Sequence, residues 1–140
     1  MSDIWDFKKE AKNFDGISII MLIFLLALIA PILLLIIVNY TGYSEIVEEV
    51  FKAGVILFLV LKLPGTKLKV IWALVFAFIF SLSENVFWQR FIWTTPMHLA
   101  TTIIILLFGL INKKLIIIGL LLSVFLHLLF NNIIVRLIVG

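Results

Sequence analysis

Apolar residues run along this chain in long blocks, each close to the ~20 residues that cross the hydrocarbon core of a bilayer, with short polar breaks between them. The pattern predicts spanning helices over 17–38, 45–63, 68–90, 96–111 and 115–139. Residues 1–15 read differently. Ile4, Phe7, Ala11 and Phe14 recur at helical spacing with Lys8, Lys9 and Lys12 opposite, the pattern of an amphipathic helix lying on a membrane surface. Asn39 to Ser44 forms a polar turn, and Ser44 is placed to cap the next helix, whose early Glu45, Glu48 and Glu49 suit the positive end of its dipole. Pro64-Gly65 marks another turn, and Thr95-Pro96 is a good helix start. The fold class expected is an all-α polytopic membrane protein: residues 16–140 form a single domain of about five spanning helices behind the interfacial segment.

Composition strengthens this reading. A chain of 140 residues that is 64% hydrophobic has too little interior to hide that surface from water. Cysteine is absent, which removes thiolate chemistry, disulfides and Cys-ligated metal. The net charge of +3 comes from Lys and Arg at segment ends, a topology signal and not a nucleic-acid surface. Lys8, Lys9, Lys12, Lys62, Lys67, Lys69, Lys113 and Lys114 fall on one side of the five-span arrangement, Arg90 and Arg136 on the other. The positive-inside rule then predicts a multi-pass protein of the cell membrane, N-terminus cytoplasmic and C-terminus outside.

Ionisable residues inside such spans are costly and mark function by default. Glu84 follows an uncharged run from Val70 to Leu82, and His127 lies near the middle of the last span. With the topology above and ~1.5 Å per residue, Glu48, Glu49, Lys52, Glu84, His98, His127 and Asn131 all fall in the outer half or near the centre. Glu48 and Lys52 share a helix face, as do His127 and Asn131. Blander readings exist for several of them. The Glu48-Glu49 pair fits an exposed helix start, Lys52 a snorkelling lysine, Asn131 interhelical glue, and Trp72, Trp88 and Trp93 a headgroup belt. Glu84 and His127 resist such readings, and the convergence of the set favours a common polar site.

Together these residues carry a family pattern. Glu48-Glu49-Val50-Phe51-Lys52 resembles the EExxK motif of the PrsW-like branch of the superfamily that also holds the type II CAAX proteases and Aph. Phe80 to Asn85 is similar to that branch's FxxxEN motif; Arg90 with His98, and His127 to Asn131 as an HxxxN, resemble the third and fourth motifs. The resemblance implies an intramembrane endopeptidase that cuts a membrane protein or lipidated peptide near the extracytoplasmic face. It implies Glu48 as the base that activates water, Glu49 and Lys52 as ordering groups, Glu84 and His98 as holders of the water or a metal, and His127 with Asn131 as oxyanion or ligand groups. Zinc is the implied candidate metal, on Glu84, His98 and His127. The expected partners are membrane lipids, the substrate and a second copy of the chain, with no nucleic acid. The alternative within the superfamily is an Aph-like scaffold in which the histidines keep structural hydrogen bonds; a third reading, a proton or ion path, needs a polar route through the inner half, which is sealed by Leu, Ile, Val and Phe.

Overall fold

The computed structural model describes residues 16–42, 44–88 and 91–134, and for 16, 17, 19, 20, 31, 35, 38, 39, 41, 84–88, 91–93 and 134 the helical backbone alone. The expected interfacial segment 1–15, Arg90, Arg136 and the side chains of Glu84, Trp88 and Trp93 lie outside what is described. The described residues are helical: α1 (Gly16–Thr41), α2 (Ser44–Lys62), α3 (Thr66–Trp88), α4 (Phe91–Ile111), a 3-10 turn (Lys113–Leu115), α5 (Ile116–Leu129) and a π turn (Phe130–Ile134). Three stretches among them, Thr66–Ser83, Thr94–Ile111 and Lys113–Ile133, are long and apolar enough to cross a membrane.

Two boundaries differ from expectation. Thr95-Pro96 does not start the fourth helix; α4 begins at Phe91 and carries Pro96 inside it. A proline this early forfeits a single amide donor in the second turn, a loss that flanking helices in a bundle accommodate. The last helix is not one α-helix, because it widens into a π turn at Phe130 that carries Asn131 and Asn132. Ser44, expected as a cap, is instead the first residue of α2, and its hydroxyl donates to Glu45 Oε2 at 3.0 Å.

Short connections make α2 to α5 alternate in direction. The starts of α2 and α4 therefore share one end of the bundle with the finish of α3 and α5. Gly65, at φ 68°, takes the left-handed conformation that the tight α2–α3 turn needs. Helix α2 packs against all four other helices, which puts the most charged of them at the centre. Its lower half joins the apolar core: Ile56 and Leu59 meet Ile23 and Ala27 of α1, Ala73 and Phe76 of α3 and Ile105 of α4, all fully buried. Phe51, Phe76 and Phe80 form a three-ring cluster in which each ring meets the other two, at centroid distances of 5.8–6.2 Å.

Helices α4 and α5 approach closely at Gly119, where a Cβ would lie 3.0 Å from Ile105 Cα and 3.3 Å from the Ile104 carbonyl. Backbone cannot yield there as a side chain would. Gly119→Val should therefore destabilise the bundle by ~1–3 kcal/mol. Gly54→Ala, at a position with nothing within 4 Å, should be nearly neutral or slightly stabilising. Unfolding of both variants in mixed micelles checks the contrast.

The outer surface inverts the usual soluble arrangement. Met21, Phe24, Leu25, Ile32, Leu107, Ile117, Leu121 and Phe125 are among many large apolar side chains turned outward, while Glu49, Lys52, His98, Thr101, Thr102, Ser123 and His127 are buried.

Candidate active site

Glu45, Glu48, Glu49 and Lys52 stand at i, i+3, i+4 and i+7 of α2, so one face of its first two turns is a polar stripe. Because α2 is central, the stripe points into the bundle, towards α4 and α5. Its deepest member organises the site. Lys52 Nζ lies 2.5 Å from Glu49 Oε1, 3.1 Å from His98 Nδ1 and 3.0 Å from Thr101 Oγ1. Lys52 and Glu49 are both wholly buried, which overturns the snorkelling reading for the first and the exposed-helix-start reading for the second.

From α5, His127 Nδ1 meets the same Glu49 Oε1 at 2.9 Å, and its Nε2 lies 3.8 Å from Glu48 Oε2. A carboxylate only accepts, so the His127 Nδ1 proton is the donor and its Nε2 is left facing Glu48. One turn on, Asn131 Nδ2 donates to Glu45 Oε1 at 2.9 Å. The rings of His98 and His127 meet edge-on with centroids 5.7 Å apart. Phe80 closes the floor, its ring edge-on to His98 at 5.4 Å and 5.6 Å beneath the Lys52 ammonium.

Six of the seven residues expected from sequence thus gather at one end of the bundle, contributed by α2, α4 and α5 with its π turn. The seventh, Glu84, has its side chain outside the described residues; its helix, α3, ends at the same end of the bundle. Burial is graded: the Glu48 side chain is 16% exposed, His127 4% and Glu49 0%. Of the two carboxylates that face His127, Glu48 is therefore the nearer to water, and Glu49 the one that holds the interior together. Glu49 Oε2 meets no donor among the described residues, so Oε1 alone carries both contacts.

Sequence reasoning missed Thr101, Ser123 and the role of Glu45. Thr101 accepts from Lys52 and donates to the His98 carbonyl at 3.2 Å, and Ser123 donates to the Thr101 carbonyl at 2.9 Å. Spacing held the signal: Thr101 is one turn from His98, and Ser123 one turn from His127. The Glu45–Asn131 bond is the outermost tie between α2 and α5. A double-mutant cycle of Glu45→Ala and Asn131→Ala in micelles should return a coupling of ~0.6 kcal/mol, the usual size for such bonds within membrane bundles.

The residues described include His98 and His127 of the expected zinc ligands but not the side chain of Glu84. No three His, Asp or Glu side chains among them are grouped to hold one ion. His98, an expected zinc ligand, turns Nδ1 towards the Lys52 ammonium at 3.1 Å, and that cation opposes a second one at the same nitrogen. The arrangement offers a carboxylate beside an imidazole, the imidazole steadied from behind by a buried ion pair. No protein-family pattern, curated protein or solved structure matches this chain, so its side chains alone carry the reading of the site.

Proposed function

We propose that this chain is a PrsW-like intramembrane protease, a multi-pass protein of the cell membrane that hydrolyses a peptide bond of a membrane protein or lipidated peptide near the extracytoplasmic face. The observation that carries the proposal is the Glu48–His127 pair, 3.8 Å apart and partly open to solvent, backed by the wholly buried Glu49–Lys52 pair. The outward-facing Leu, Ile and Phe side chains support insertion, since contiguous apolar surface of that extent is stable against hydrocarbon and not against water. The basic end of the bundle, with Lys62, Lys67, Lys113 and Lys114 exposed, supports a cytoplasmic location for the α2–α3 and α4–α5 turns. In this reading all five helices span, with residues 1–15 along the inner surface and lipids as the surrounding partner.

In the mechanism, a water molecule sits against Glu48 and His127 Nε2. Glu48 takes its proton as the oxygen attacks the carbonyl carbon of the scissile bond, forming a tetrahedral oxyanion. The proton then passes to the amide nitrogen as the carbon–nitrogen bond breaks. Glu49 holds the His127 ring through its Nδ1 proton, with Nε2 turned towards Glu48 and the water. No step runs through zinc.

One observation favours the Aph-like scaffold instead. Every Lys52 proton has an acceptor, so that half of the cluster is already paired without substrate. The two readings part on turnover. Purified protein in liposomes, offered a pool of single-span peptides and assayed by mass spectrometry of the fragments, should cut a subset near the outer face. Intact peptides throughout, with the protein folded, would leave the scaffold.

A further inference from the structure

Lys52 has three N–H bonds and three acceptors. Glu49 contributes a carboxylate oxygen, Thr101 a hydroxyl whose own proton goes to the His98 carbonyl, and His98 the ring nitrogen Nδ1. An ammonium cannot accept a hydrogen bond, so the 3.1 Å contact is satisfied only if Nδ1 is unprotonated. The alternative sets an N–H against an N–H in an interior closed to water, with Lys52 and His98 both 1% exposed or less.

We infer that Lys52 is a positioning residue that fixes His98 as the neutral tautomer protonated at Nε2. The Glu49 carboxylate in turn keeps a proton on His127 Nδ1. One Lys–Glu pair sets both rings. The consequence is that His98 acts as a hydrogen-bond donor through Nε2. A neutral imidazole protonated at Nε2, with Nδ1 occupied by an ammonium, does not bind zinc. The catalytic part of this inference rests on the protease reading; the tautomers do not.

The chain has two histidines, so selective 15N-histidine labelling yields two ring systems, assigned with a His127→Gln variant. In micelles, long-range nitrogen–proton correlation should show His98 with a pyrrole-type Nε2 and a pyridine-type Nδ1, and His127 with a pyrrole-type Nδ1. Lys52→Met combined with Glu49→Gln keeps the interior uncharged and should reduce the His98 preference at least tenfold. Thr101→Val, which spares the Nδ1 contact, should leave it intact. A wild-type His98 protonated on Nδ1, or a preference unmoved in the double variant, would overturn the inference. The spectrum needs no substrate, so an inert protein with these tautomers would count against proteolysis alone.

Discussion

Replacing Lys52 by methionine is expected to destabilise the bundle by about 3–5 kcal/mol, the usual penalty for removing one partner of a buried ion pair. Methionine matches the length of the lysine stem, so the loss is of charge and donors and not of volume. Three acceptors lose their donor at once: Glu49 Oε1, His98 Nδ1 and Thr101 Oγ1. Glu49 suffers most, because its carboxylate is fully buried and keeps only the His127 proton. Adding Glu49→Gln should recover at least half of the loss, since a neutral amide oxygen still accepts from His127 and no uncompensated charge is left inside. Unfolding in mixed micelles, run as a double-mutant cycle, measures the coupling. A Lys52→Met variant as stable as the parent would mean that the lysine is not buried where the structure has it.

The second large effect is on activity and should leave the fold alone. Glu48→Gln keeps the shape of the side chain and removes the basic oxygen. Glu48 is partly exposed and 3.8 Å from its imidazole partner, a pair of the kind worth ~0–1 kcal/mol to stability. Loss of a general base, by contrast, lowers turnover about 10²–10⁴-fold. The expected signature is an unchanged unfolding curve with cleavage of the membrane peptide all but lost. Glu49→Gln should differ in kind, weakening fold and activity together because Glu49 anchors both Lys52 and His127. Retained cleavage in Glu48→Gln would remove Glu48 from the mechanism.

The site was legible in sequence because hydrocarbon tolerates few polar side chains, so each one inside a span carries information. Glu48, Lys52, His127 and Asn131 could be set on helix faces by counting turns, and those faces do meet. Partners were harder to foresee. The HxxxN spacing suggested that His127 and Asn131 act together, yet each engages a different carboxylate of α2, His127 with Glu49 and Asn131 with Glu45. Thr101 and Ser123 went unnoticed because hydroxyls are common within apolar helices and bond their own backbone as readily as a neighbour. Pro96 misled for a related reason: a proline that suits a helix start is also tolerated a turn later when neighbouring helices support the backbone. Periodicity alone could not foresee the π turn at Phe130, since it alters the helix by a single residue of winding.

A chain without cysteine invites one further measurement, labelling of single introduced cysteines in sealed vesicles. A membrane-impermeant maleimide added from the extracytoplasmic side should modify Glu48→Cys, at the partly exposed rim. It should spare Thr101→Cys, one turn deeper in the wholly buried layer around Lys52, until the protein is unfolded. Protection of position 48 from that side, or its labelling from the cytoplasmic side alone, would contradict a water-reachable carboxylate at the outer end of the bundle.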